Sequence, residues 1–138
     1  MKSAALVFRA YANSDEFYKY VEHNVTKLEG GNENNLQLAI SKYRGCLQSH
    51  GPVPIVYQDY PGMERTRVIG GWRKNVMAQN RYKELNAIDR AAHWVHELTH
   101  ACGFTHYEND IVLHPIIKKS WSYQVGNAFK SFIEAKAL

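Results

Sequence analysis

At 138 residues, 45% of them hydrophobic and 22% charged, the chain holds enough apolar material for one core and is too short for two. Its formal charge of +4 comes from 17 basic residues scattered among 13 acidic ones, never a dense block, so nucleic acid is not an expected partner. No apolar run approaches a membrane span, and Ala4 to Phe8 is shorter than a secretory core segment; the chain as written reads as cytoplasmic, with removal of an upstream signal left open.

Cys46 and Cys102 are the only cysteines, which excludes a disulfide-dense scaffold and fits a reducing compartment, while one bridge between them stays open. Taken in order, Ala4 to Tyr11 is apolar and β-prone and predicts a first strand. Asn13 with Glu16 three later forms a capping box for a helix through about Leu28, ended by Gly30-Gly31. Leu36, Leu38, Ala39, Tyr43 and Leu47 give an apolar face to a second helix from about Asn35 to Gln48, which stops near Gly51-Pro52. Pro54 to Tyr57 reads as a short strand, and Arg67 to Trp72 with Asn75 to Gln79 as a hairpin turning near Arg73-Lys74.

Asn86 and Asp89 open the next helix, which carries two stripes. Ile88, Ala91, Ala92, Val95, Leu98 or Thr99, and Cys102 recur at helical spacing and face the core, so Cys102 reads as a buried, inert thiol. His93, His96, Glu97 and His100 occupy the neighbouring face. A last helix begins near Trp121.

The run His96-Glu97-Leu98-Thr99-His100-Ala101-Cys102-Gly103-Phe104-Thr105-His106 carries the chemistry. Residues four apart share a helix face, so His96 and His100 can aim ring nitrogens at one ion, while Glu97 projects about 100° round the axis. Gly103 tolerates positive φ, stops the helix and lets His106 return as a third ligand. Three neutral imidazoles leave a zinc ion its full charge and a fourth position for water, and Glu97 beside that water is placed to act as general base. His93 is expected at the rim, outside the ligand set.

This string resembles the pattern H-E-x-x-H-x-x-G-x-x-H of the metzincin clan of zinc metallopeptidases at every specified position. The resemblance covers about eleven residues and is loose elsewhere. It implies a zinc-dependent endopeptidase acting on peptide or protein substrates, with His96, His100 and His106 on Zn2+ and Glu97 catalytic. It also implies an α+β (α/β-like), zincin/metzincin-like fold: one domain over residues 1–138, with a small twisted mixed sheet, a backing helix, an active-site helix and a short C-terminal helical subdomain. Arg67 to Trp72 would be the edge strand that pairs with an extended substrate. The methionine turn of that clan is absent in its usual form, since no methionine follows Met77. In Lys119-Ser120-Trp121-Ser122-Tyr123 the alignment puts Trp121 where the methionine would sit. It puts Tyr123 on the tyrosine that approaches the metal or the oxyanion in some branches.

Two alternatives follow from the same residues. One is a non-catalytic zinc-containing binding module, a protease relic with Trp121 marking decay of the site. The other is a zinc peptidase that takes its third ligand from a glutamate on a later helix, for which Glu134 is the candidate.

Overall fold

The computed structural model describes residues 4–50, 55–58, 65–67, 75–79, 87–105 and 118–136. Among the described residues five helices carry the architecture: α1 (Ala4–Tyr11), α2 (Asp15–Asn24), α3 (Leu36–His50), α4 (Ala87–Ala101) and α5 (Trp121–Lys136). Between α3 and α4 in sequence lie three short strands, β1 (Ile55–Gln58), β2 (Arg65–Arg67) and β3 (Asn75–Gln79), in the order β1-β3-β2. β1 pairs parallel with β3, Ile55 opposite Val76, and β2 pairs antiparallel with β3, Arg67 opposite Asn75.

These findings correct the metzincin resemblance and the α+β fold inferred from it. That architecture is framed by a sheet, whereas here every described buried side chain lies on a helix or on a connection flanking one. The first strand, expected over Ala4 to Tyr11, is α1. Ala4, Val7 and Phe8 are its buried residues, and their i, i+3, i+4 spacing is a helical stripe. An apolar run of this length fits a strand or a buried helix equally well, and only its packing partners decide. Phe8 settles the matter by meeting Trp94 of α4 edge-on, ring centroids 5.9 Å apart. Residues 68–72 of the expected edge strand lie outside the described residues, and Arg67 is the last described residue of β2.

Local chemistry explains the helix ends. Ser14, in extended conformation, caps α2 by accepting from the Phe17 amide at 3.2 Å, and Asp15 and Glu16 complement the dipole of its first turn. The expected cap, Asn13, is engaged elsewhere: Arg44 of α3 donates to its side-chain oxygen at 3.0 Å and to its carbonyl at 2.9 Å. α2 ends at Asn24, short of Leu28, and Gly30 and Gly31 take φ of 71° and 76° in the connection to α3. Asn35 caps α3 by accepting from the Leu38 amide at 3.0 Å.

α4 is the central helix, touching α1 on one side and α5 on the other. The two run antiparallel, because Tyr123 near the start of α5 meets His96 while Lys130 further along reaches Asp89 near the start of α4 at 2.9 Å. Tyr43 of α3 donates its hydroxyl to the Val95 carbonyl at 2.8 Å, in full burial; that burial pushes its ionisation far above the ordinary phenol range. The Tyr43 ring also meets Trp121 of α5 and Phe104, at centroid distances of 5.9 and 6.2 Å. Such edge-to-face pairs add roughly 0.5–1.5 kcal/mol each beyond area burial, so this cluster fixes α3 and α5 against the end of α4. A disulfide between Cys46 and Cys102 joins the same two regions covalently. It corrects the expectation of an inert thiol at Cys102: a half-buried stripe position adjoining α3 brought the second sulfur within reach.

Candidate metal centre

His96 and His100 lie one turn apart on α4, and their Nε2 atoms are 3.3 Å from each other. Two nitrogens bound at about 2.0–2.1 Å to one tetrahedral zinc stand roughly 3.3–3.4 Å apart, so the pair already spans one edge of that coordination polyhedron. His100 Nδ1 lies 2.8 Å from the Phe104 carbonyl. A carbonyl can only accept, so Nδ1 holds the proton and Nε2 of the neutral ring presents a bare lone pair. Ligating histidines in zinc sites carry this second bond almost always.

The C-terminus of α4 is built to hold that geometry. Gly103, with φ of 92°, occupies the left-handed position of a Schellman cap: its amide reaches the His100 carbonyl at 3.1 Å and the Phe104 amide reaches the Thr99 carbonyl at 2.9 Å. Phe104, 5% exposed, is buried against Tyr43 and Trp121. The sharp turn expected at Gly103 is therefore present. His106, the expected third ligand, lies outside the described residues. Among the described residues no group of three or more His, Cys, Asp or Glu side chains gathers as a metal cage.

Glu97 follows His96 and is half-buried, with His93 Nε2 3.5 Å from its carboxylate. The rings of His93 and His96 are parallel within 3°, their centroids 6.0 Å apart. His93 is thus beside the candidate base, a relation that the i, i+4 spacing allowed and that the ligand count passed over. Tyr123 is brought to the site: its ring stands edge-to-face on His96 at 4.6 Å. Trp121 is buried, but its ring contacts are Tyr43 and Phe104, at 5.9 and 6.3 Å. Both partners hold it near the end of α4, Phe104 being the residue that follows Gly103. Glu134 is exposed on α5, three turns beyond Tyr123 and past Lys130, which pairs with Asp89; this sets it towards the far end of α4 from His100.

A buried hydroxyl pair adjoins the candidate ligand His96. Thr99 donates to the His96 carbonyl at 2.6 Å, which uses its one proton, so Ser122 of α5 donates to Thr99 across 2.5 Å. Both side chains are fully buried. Nothing in the sequence pattern singled out this pair, because each residue alone reads as ordinary small polar filling.

Family models, curated proteins and solved structures were all compared with this chain, and none matches it.

Proposed function

We propose that the protein is a zinc-dependent metallopeptidase, hydrolysing peptide bonds in peptide or protein substrates, built on a helical frame. The observation that carries this reading is the 3.3 Å spacing of the His96 and His100 Nε2 atoms, with the His100 tautomer set by Phe104. Helix surfaces bring histidines four apart into neighbourhood often, but a turn that also fixes the proton on the opposite ring nitrogen is what a metal ligand requires. The donor set is two imidazoles with His106 proposed as the third, a chemistry that suits zinc.

Bound zinc supplies a Lewis acid that lowers the pKa of water to about 7 and polarises a carbonyl. Glu97, on the next face of the helix, takes the proton of the attacking water and delivers it to the leaving amine, so that cleavage yields a carboxylate and an amine. His93, 3.5 Å from the Glu97 carboxylate, holds that carboxylate towards the site. Tyr123, packed on His96, offers a hydroxyl to the developing oxyanion. The test is metal analysis of purified protein together with a cleavage screen on denatured proteins and peptide libraries. About one zinc per chain with Glu97-dependent cleavage is the expected result. Stoichiometric zinc without cleavage would turn the reading to a binding module, and absence of zinc would end it.

A further inference from the structure

Asn32, in the connection between α2 and α3, reaches across more than seventy residues of sequence to the turn that ends the ligand helix. Its Nδ2 donates to the Gly103 carbonyl at 2.7 Å and its Oδ1 accepts from the Thr105 amide at 3.0 Å. The Thr105 N–H and the Phe104 C=O belong to one planar peptide unit. That carbonyl is the group 2.8 Å from His100 Nδ1. Asn32 therefore holds one end of a rigid plate whose other end orients a metal-binding imidazole. The chain of bonds runs from His100 Nδ1–H to the Phe104 carbonyl, and from the amide of the same peptide to the Asn32 oxygen. Each bond polarises the next in the same sense, which makes the carbonyl a better acceptor and His100 Nε2 a better donor to a metal.

We infer that Asn32 is a positioning residue for the metal site, acting on His100 through the 104–105 peptide; this rests on the zinc reading. Two features adapt Asn32 to the role. Its side chain carries a donor and an acceptor on one planar amide, which matches a carbonyl and an N–H two residues apart along a turn. Its loop is shaped to deliver it: Gly30 and Gly31 adopt positive φ immediately before, and Glu33 after it is anchored by Lys42 of α3 at 2.8 Å. Asn32 itself is exposed, so its replacement leaves no cavity in the core.

The experiment compares the parent, Asn32→Ala and Asn32→Asp. It uses two readouts: zinc affinity by competition with a chromophoric chelator, and the His100 tautomer in metal-free protein by long-range nitrogen–proton NMR. Asn32→Ala should weaken zinc about tenfold, the low end of what losing an outer partner of a ligating histidine costs, and should mix the His100 tautomers. Asn32→Asp keeps the acceptor for Thr105 and loses the donor to Gly103, so it should fall between the two. Unchanged affinity in Asn32→Ala would overturn the inference. So would weakened zinc with an unchanged tautomer, because the loss would then reflect general loosening of the turn. If the parent binds no zinc, the zinc reading falls, and the tautomer measurement still decides whether Asn32 sets His100.

Discussion

Gly126 of α5 lies directly against His96 of α4: a Cβ built on it would meet the His96 Cβ at 3.2 Å and the Ala92 carbonyl at 3.3 Å. Both neighbours are rigid parts of the chain, so a methyl group there must push the helices apart by a few tenths of an ångström. Gly126→Ala gains about 1 kcal/mol of helix propensity but meets an overpacking cost of about 1–3 kcal/mol. A net loss of about 1 kcal/mol in urea unfolding is expected, with weaker zinc binding because His96 is the residue displaced. A variant more stable than the parent, with unaltered zinc affinity, would show that the helices yield freely.

Replacing the candidate base separates metal binding from chemistry. Glu97→Gln preserves shape and should keep zinc, while turnover of a cleaved peptide falls by about two to four orders of magnitude. Its counterpart, His100→Ala, should lose the metal altogether. Equal activity in Glu97→Gln and the parent would rule out the general-base role.

Tyr123→Phe tests the hydroxyl alone. The edge-to-face packing on His96 needs only the ring, so fold and zinc content should be unchanged and turnover lower. Steady-state kinetics should place the loss in kcat; a loss confined to KM would assign Tyr123 to substrate binding.

Next to the candidate ligand His96, Thr99→Val removes the hydroxyl that bonds the His96 carbonyl and strands Ser122 in the core. About 1–3 kcal/mol of stability should go with it, whereas Ser122→Ala leaves Thr99 bonded to His96 and should cost less. A double-mutant cycle on the unfolding free energies measures the coupling of the pair.

Reduction of the Cys46–Cys102 disulfide opens a closure of 56 residues, for which chain entropy suggests about 4 kcal/mol. Thermal unfolding with and without a dithiol should show the difference. Zinc affinity should fall alongside, because Cys102 adjoins the Gly103 turn.

The stop at Gly103 was legible because only a residue free to take positive φ can stand between a helix and a returning chain, and the spacing to His100 and His106 marked it. The α3 helix was legible from its apolar stripe, although Leu38, read as part of it, is 44% exposed while Ala39, Tyr43 and Leu47 are buried. α1 was not: Ala4, Val7 and Phe8 suit a strand as well as a helix until Trp94 is known to stand opposite. Capping by Ser14 and not Asn13 depended on Arg44, which arrives from another helix and leaves no local trace. Eleven well-spaced residues marked a helix with two histidines on one face and said nothing of the frame around it, so the frame borrowed from the metzincin clan did not follow. Asn32 was invisible for the same reason as Arg44, since its partners lie more than seventy positions away.

The cluster of Tyr43, Phe104 and Trp121 has a bearing on how an ion would be taken up. These rings pack through hydrocarbon contact at the end of α4, and the two imidazoles sit one turn apart on that helix, so their spacing is expected to be set by folding before an ion arrives. Many small zinc proteins collapse when chelated because binding free energy is their folding free energy. On the proposed zinc reading the two should be decoupled: chelation should leave the far-ultraviolet spectrum and the cooperative melt unchanged, and simple addition of zinc should restore the bound ion. Loading would then be a matter of supply and exchange rate, with the emptied molecule folded and ready for the next ion.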